Sequence, residues 1–200
     1  MTLTDDSRTD YAAARKAMID SQLRTSGVNE AFVLARMSVV PREKFVPDSA
    51  RGVAYMDRAV RLGDGAFLPA PVFHGAMLAE ARPVADDRVL VIDAGSGYLT
   101  ELVHPMVQSV DTVTPQDGAA GQAQGGDYTL ILVDGAIEEV PRALADLLSE
   151  EGRIVTGIVS RGVTRLAAGR HSGRSLALIP LAEMGIPRLG AFDRPTRWEF

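Results

Sequence analysis

The sequence contains no cysteine and only three histidines among its 200 residues. Without cysteine, disulfides, thiolate metal sites and a cysteine nucleophile are excluded, and the fold must be held by packing alone. The histidines, His74, His104 and His171, have no partners at the spacing of a metal site, so we predict packing or surface roles for them. The single tryptophan, Trp198, is predicted to anchor the carboxyl terminus.

Long apolar runs and a leading basic stretch are also missing. No run approaches the ~20 residues that would span a bilayer, and the first residues lack the basic stretch and apolar core of a secretory signal. We therefore predict a cytoplasmic protein that does not insert into membranes. Its formal charge of -5 gives no general attraction to phosphate backbones, so nucleic acid is not an expected partner.

The residues that are present suit one packed core. Apolar residues make up 46% of the chain and charged residues 24%, and the length corresponds to one domain. We predict a single domain over residues 1–200, in which a helical and loop region, 1–83, precedes a sheet region, 84–200. Helices are predicted at Tyr11–Leu23, from Asn29 to Val40 and at Phe73–Ala81, with loops from Pro41 to Pro71.

From residue 88 onward, short β-branched runs alternate with helical segments, which indicates an α/β protein with a mostly parallel sheet. The predicted strands are Arg88–Asp93, Ser109–Val113, Tyr128–Val133 and Arg153–Val159, and the predicted helices are Tyr98–Val103 and Pro141–Leu148. Two further runs, Val163–Ala168 and Ser175–Pro180, flank a turn at 169–173 and predict an antiparallel hairpin at the sheet edge. The Gly-, Ala- and Gln-rich segment 115–126 is predicted to be a flexible, exposed connection.

Three separated segments carry a resemblance to a known family. The first lies within residues 18–47 and includes Met18-Ile-Asp-Ser-Gln-Leu-Arg and Val40-Pro-Arg-Glu-Lys-Phe-Val-Pro47. The second is Leu62-Gly-Asp-Gly65, and the third is Val89-Leu-Val-Ile-Asp-Ala-Gly-Ser-Gly-Tyr98. In this order and spacing, up to about Gly157, they resemble the protein-L-isoaspartate O-methyltransferase family.

The resemblance implies a Rossmann-like, S-adenosylmethionine-dependent methyltransferase fold. It also implies methyl transfer to the abnormal carboxylate of isoaspartyl residues in a protein or peptide substrate, without a metal. By position, the cofactor contacts would come from Asp93, Gly95, Ser96, Gly97, Thr114 and Asp134. The substrate contacts would come from Phe67, Leu68 and Pro69, and no catalytic residue is assigned.

The chain departs from the family pattern in the cofactor loop. Asp93 stands at the family's first loop glycine, and Val91 stands at the acidic position two residues earlier. A side chain at 93 can block close approach of a ligand, and its charge repels the cofactor's carboxylate. Thr114 takes the place of the ribose-binding acid, where a hydroxyl cannot supply the paired acceptance of a carboxylate. The alternative acid, Asp111, lies earlier in the strand.

Two other regions depart as well. The signature segment Ala66–Pro71 keeps only its final proline, so an isoaspartyl carboxylate there would lack hydrogen-bond donors. The stretch from Thr114 to Asp127 has room for one crossover helix of ~10–12 residues, but not for a helix, a strand and a second helix. We therefore predict a fold shortened in the middle, without the wall that the family places around the adenine.

Two functions remain open at this point. The protein is either a methyltransferase with a rebuilt pocket or a non-catalytic scaffold that binds a protein partner or a second copy. Asp93 is either a base or, as the strand end favours, a cap of the following helix. Asp134 is either a ligand contact at a strand end or a turn residue. A sheet face left uncovered by the shortening predicts a homodimer.

Overall fold

The protein was analysed as a computed structural model, which describes residues 10–172 and 175–194. The amino-terminal start and Trp198 lie outside the described residues. Within the described residues, the main sheet has six strands: β3 (Arg88–Ile92), β4 (Ser109–Val113), β5 (Tyr128–Ile137), β6 (Leu148–Ser160), β7 (Val163–Ser172) and β8 (Ser175–Glu183). Their order across the sheet is β4-β3-β5-β6-β7-β8.

The strand directions confirm the predicted mixed sheet. β3 pairs in parallel with β4 and with β5, and β5 pairs in parallel with β6. β7 and β8 add antiparallel strands at one edge. The turn predicted at 169–173 was placed too early, because β7 continues through Ser172 and Gly169 is still paired with Leu178.

The helices precede the sheet or connect its strands. They are α1 (Tyr11–Met18), α2 (Ala31–Val39), α3 (Pro71–Ala81), α4 (Tyr98–Val103), α5 (Pro115–Ala119) and α6 (Arg142–Ala145). α1 continues as a π-helical turn and a 3-10 turn before Gly27, whose φ of 88° ends it. α2 begins after Glu30 and not directly after Asn29. No described helix is long and apolar enough to cross a membrane.

The segment predicted as loops contains short elements of its own. Two 3-10 helices, Arg42–Phe45 and Asp48–Val53, precede a small antiparallel hairpin. This hairpin consists of β1 (Val60–Gly63) and β2 (Ala66–Leu68) and is separate from the main sheet. It matters for the site because it lies against the loop that follows β3, as described below.

The core occupies both faces of the sheet. On one face, Val89 and Val91 of β3 share a cluster with Met37 of α2 and Phe73 of α3. On the other face, the alternate residues of β3, including Ile92, pack with side chains such as Leu144 of α6 and Leu189. A strand buried on both faces needs apolar side chains at every position, which is why β3 is a continuous apolar run.

The strand β5 and the helical segments on either side of it differ from the sequence prediction. β5 extends beyond Val133 to Ile137, with a register shift against β6, and α6 is shorter than the predicted helix. The segment 115–126 is not simply a flexible connection, because it begins with α5. Gly118 of that helix lies against Ile92, where an added Cβ would come within 2.4 Å of the Ile92 side chain. No strand lies between β4 and β5, as the length argument predicted.

A buried ion pair fastens the amino-terminal end of β3. Asp87 is 3% exposed and accepts hydrogen bonds from both terminal nitrogens of Arg153, at 2.9 and 2.6 Å. Thr129 and the Val84 N–H donate to the same carboxylate. Burial alone would raise the pKa of Asp87, but the hydrogen bonds from Arg153, Thr129 and Val84 lower it below its ordinary value. Both oxygens of the buried Asp87 carboxylate therefore have hydrogen-bond partners.

Candidate functional site

The opposite end of β3 leads into a tight glycine turn. Gly95 has φ of 103° and Gly97 has φ of 72°, conformations that L side chains rarely adopt. Gly97 is also the amino-terminal cap residue of α4. The turn lies at the carboxyl end of a parallel strand, where open α/β sheets bind their ligands.

The carboxylate of Asp93 is bonded inside this turn. It accepts hydrogen bonds from the N–H of Gly95 at 2.8 Å and from the N–H of Gly97 at 2.9 Å. The Tyr98 N–H is also satisfied within the turn, by the Ser96 hydroxyl oxygen at 3.1 Å. Asp93 therefore bonds within the turn, and it does not cap α4 as predicted, because it reaches the N–H of the cap residue Gly97 and no N–H inside the helix. The N–H groups of both glycines already have an acceptor.

Asp93 has no cationic partner in these contacts. Burial raises the pKa of Asp93, and the negative charge of Asp134 raises it further, although the two glycine N–H groups act in the opposite direction. The ionised carboxylate is thus less stable here than it is in water. A positively charged group brought close to it would be favoured.

The β1–β2 hairpin closes one side of the turn. The Phe67 N–H donates to the Ala94 carbonyl at 3.0 Å. A Cβ added at Gly95 would lie 2.6 Å from the Cβ of Ala66, so only glycine fits at this contact. The hairpin therefore depends on Gly95 for its close approach.

A cavity of about 350 Å³ opens between the hairpin, the glycine turn and the end of β4. It brings together three residues predicted to contact a cofactor, namely Asp93, Gly95 and Thr114. The hairpin contributes Asp64, Gly65 and Ala66, and the remaining lining comes from Ala94, Thr112, Val113, Pro115 and Gln116. Ser96 and Gly97 belong to the same turn but do not line the cavity.

Thr114 acts as the amino-terminal cap of α5. Its hydroxyl accepts from the Asp117 N–H at 3.2 Å and donates to the Asp117 carboxylate at 2.8 Å. The alternative acid, Asp111, accepts a hydrogen bond from the Tyr128 hydroxyl at 2.6 Å and is not part of the cavity lining. Asp117 was missed, although the spacing Thr-Pro-Gln-Asp is a recognisable helix-start pattern.

Asp134 does not line the cavity, although its charge acts on Asp93. It is fully buried, and one carboxylate oxygen contacts His74 Nε2 at 2.8 Å, while the other has no hydrogen-bond partner among the described residues. Arg42, also fully buried, lies 3.2 Å from His74 Nδ1. Because arginine only donates, Nδ1 must accept, so Nε2 carries the proton and donates to Asp134. Burial lowers the pKa of His74, consistent with a neutral ring.

This buried network joins several site elements. Arg42 also donates to the carbonyls of Ala54 and Pro69, and its guanidinium lies 5.0 Å from the ring centroid of Tyr98. The contacts therefore hold the segment before α3 and the start of α4 in fixed positions. Neither Arg42 nor His74 stood out in the sequence, because only the tertiary fold brings them next to Asp134.

The residues predicted to contact a substrate do not line the cavity. Leu68 is fully buried in the core, and Pro69 is buried with its carbonyl bonded to Arg42. Phe67 is half-buried, and the Arg61 guanidinium lies 5.5 Å from its ring centroid. Among the described residues, no group of three or more His, Cys, Asp or Glu side chains could hold a metal.

The fold and the glycine turn define a Rossmann-like methyltransferase class of protein. The chain superposes on a Plasmodium falciparum chain described as a protein-L-isoaspartate O-methyltransferase in complex with S-adenosyl-L-homocysteine, with a TM-score of 0.69 and 17% identity. That likeness covers 90% of this chain and 97% of the other. A second structure, described as protein-L-isoaspartate O-methyltransferase, gives a TM-score of 0.70 at 16% identity, covering 88% and 66% of the two chains.

Sequence comparison gives the family. The Protein-L-isoaspartate(D-aspartate) O-methyltransferase family matches residues 13–115. A protein-L-isoaspartate O-methyltransferase of a Roseiflexus species is 30% identical, covering 90% of this chain and 94% of the relative. A protein-L-isoaspartate O-methyltransferase 1 of Rhodopseudomonas palustris is 30% identical over 75% and 71% of the two chains. The chain belongs to the protein-L-isoaspartate O-methyltransferase family, which confirms the resemblance predicted from its sequence.

Proposed function

We propose that this protein binds S-adenosylmethionine in the cavity beside the glycine turn and transfers a methyl group from it to a protein carboxylate. Family membership supports the reaction, and the S-adenosyl-L-homocysteine bound by the Plasmodium falciparum protein supports the cofactor. The observation that carries the proposal is the position of the cavity. It lies at the carboxyl ends of β3 and β4, beside the two glycines at positive φ.

The charge of the cavity fits this cofactor. S-adenosylmethionine carries a sulfonium and an ammonium group against one carboxylate, and bound in the cavity it would supply an electrophilic methyl group. The Asp93 carboxylate would face the positively charged groups of the cofactor, and Gly95 and Thr114 would lie beside the cofactor in the cavity. Because the glycine N–H groups are already bonded to Asp93, the ligand would contact the Asp93 carboxylate instead of those donors. This is a rebuilt form of the cofactor site.

The same contacts favour a second candidate, a non-catalytic scaffold of this fold. The N–H groups of Gly95 and Gly97 are already bonded to Asp93, and Thr114 is bonded to Asp117. The side chains of residues 66–70 offer no hydrogen-bond donor to an acceptor carboxylate. A protein of this kind would keep the fold and bind a partner without methyl transfer.

Calorimetric titration separates the two candidates. The proposed enzyme should bind S-adenosylmethionine with a Kd below about 100 μM, which corresponds to a binding free energy of roughly -5.5 kcal/mol. It should then methylate an isoaspartyl peptide. Binding should weaken in Asp93→Asn and stay unchanged in Asp86→Asn, which removes an exposed charge near the other end of β3. If the folded wild-type protein gives no heat of binding with S-adenosylmethionine and no methyl transfer, the proposed enzyme is contradicted and the scaffold is favoured.

We also propose a cytoplasmic location and a homodimer. The homodimer is supported by β8, an edge strand on which Ile179 is 65% exposed and Leu181 is 46% exposed. Burying these side chains against a second copy would remove apolar surface from water. Light scattering at micromolar concentration tests the homodimer, and a monomeric mass would contradict it.

A further inference from the structure

The open edge of the main sheet at β4 has its own groove. Within residues 10–172 and 175–194, β4 pairs only with β3, so one side of the strand has no neighbouring strand. A groove of about 750 Å³ runs along this strand, and none of the residues of the glycine turn lines it. The groove is lined by Val110–Thr114 of β4 and its end, by Asp117, and by Gln122–Gln124.

The backbone of β4 determines which groups face this groove. The Ser109 N–H bonds to the Asp87 carbonyl, and the Val113 carbonyl accepts from the Asp93 N–H, so both residues point their backbone groups toward β3. N–H and C=O groups alternate sides along a strand. Val110 and Thr112 therefore point their N–H and C=O groups outward, where a further extended chain could pair with them.

The charge of the groove selects among extended chains. Asp111 and Asp117 line it, and their carboxylates accept hydrogen bonds from the hydroxyls of Tyr128 and Thr114. Neither carboxylate forms an ion pair with any residue that the structure describes. A chain with lysine or arginine at alternate positions would place cations beside them.

We propose that the β4 edge is a docking site for an extended basic peptide of a partner protein, which pairs with Val110 and Thr112 as an added strand. A second copy of this chain suits the edge less well. Antiparallel pairing of two β4 strands about a two-fold axis at the middle of the strand would bring the two Asp111 carboxylates opposite each other, and like charges so placed repel. The proposal does not depend on cofactor binding.

The test uses the whole protein and the acetylated, amidated peptide Lys-Val-Lys-Val-Lys. Amide-resolved NMR should show the Val110 and Thr112 N–H groups shifting and becoming protected from hydrogen exchange. The same peptide with D-valines has equal charge but cannot lie as a regular strand, and Glu-Val-Glu-Val-Glu has the opposite charge. Both should bind at least about tenfold more weakly.

A matched pair of variants removes or keeps the outward donor. Thr112→Pro should weaken binding about tenfold, whereas Thr112→Ala, which keeps the N–H, should bind like the wild type. If Thr112→Pro does not fold, the exchange protection of the wild-type amides decides. Equal binding of all three peptides, protection at other amides only, or β4 amides already protected in a free dimer would each overturn the proposal.

Discussion

The two ends of β3 each carry an aspartate, one buried and one half-buried, and the two are held in opposite ways. Asp87, before the strand, is bonded to the Arg153 guanidinium, and its pKa lies below the ordinary value. Asp93, after the strand, has only backbone N–H donors and a second carboxylate nearby, and its pKa lies above the ordinary value. At one end, the Asp87–Arg153 ion pair, called the brace below, neutralises the charge of the aspartate. The other end keeps an uncompensated negative charge beside a cavity.

The comparison teaches where function can be placed in this fold. At the Asp87 end, Arg153 also donates to the carbonyls of Ala81 and Arg82, so the pair ties the end of α3 to the sheet. At the Asp93 end, the charge is available to a ligand because no arginine or lysine contacts the carboxylate among the described residues. We interpret the first end as structural and the second as the ligand-binding end.

The largest effect is expected from breaking the brace. Arg153→Met leaves the Asp87 carboxylate buried without its cation, so the free energy of unfolding should fall by about 3 kcal/mol. Urea denaturation followed by circular dichroism measures this. As a control, Arg170→Met removes an arginine that is 62% exposed and should change stability by less than ~0.5 kcal/mol. Equal losses in the two variants would contradict the assignment of a brace.

The next effect is on ligand binding at the other end. Asp93→Asn removes the charge that faces the cavity, so affinity for S-adenosylmethionine should fall about tenfold, as expected for one lost charge interaction. Binding of the uncharged-sulfur product, S-adenosylhomocysteine, should change less, because it lacks the sulfonium. Calorimetry with both ligands gives the two ratios, and equal ratios would show that Asp93 does not act through charge.

The two aspartates should also respond oppositely to pH. A lowered pKa in the folded state stabilises the protein above the unfolded value of about 3.9, and this contribution is lost as the pH falls through the folded pKa. Asp87 follows this rule. For Asp93, with a raised pKa, ionisation costs stability as the pH rises from the unfolded to the folded value.

Unfolding free energies measured from about pH 2 to about pH 7 check these signs, because the Asp87 contribution changes below the unfolded pKa and the Asp93 contribution above it. The advantage of the wild type over Asp87→Asn should grow with pH, because the ion pair needs the ionised carboxylate. The unfolding free energy of the wild type relative to that of Asp93→Asn should decrease over the same interval. Two curves of the same slope would mean that the two carboxylates do not differ in their surroundings.

The smallest effect concerns the buried neighbour of Asp93. Asp134→Asn removes a negative charge while the amide oxygen can still accept from His74 Nε2. The pKa of Asp93 should therefore fall toward its ordinary value, and the pKa of Asp87 should not change. Carboxyl-carbon NMR titration of the variant measures both. If the pKa of Asp93 is unchanged in the variant, Asp134 does not contribute to the raised pKa of Asp93.

Much of the sheet could be predicted from local sequence. β3 is buried on both faces, and its apolar run was sufficient to place it. The role of Asp93 was predicted only in part. An acid before a glycine turn has N–H donors close in the chain, but its carboxylate bonds to Gly95 and Gly97 of the turn and not to α4, as a cap would. The extension of β5 to Ile137 could not be predicted, since its last residues pair with β6 and bond to Pro187 and Leu189, far along the chain.

The polar contacts that shape the site were the hardest to predict. The contacts of His74 with Arg42 and Asp134 join residues 32 and 60 positions apart, and no short-range pattern indicates them. The brace of Asp87 and Arg153 spans 66 positions. Such pairs depend on which strands become neighbours, which the order of elements in the chain alone does not fix.

The most direct test is the pKa of Asp93 measured by carboxyl-carbon NMR, with and without saturating S-adenosylmethionine. If the cofactor's positive charge lies beside Asp93, the pKa should be above its ordinary value in the free protein and fall on binding, while the pKa of Asp87 stays low in both states. An Asp93 pKa that does not change at a ligand concentration giving full binding would contradict the proposed site.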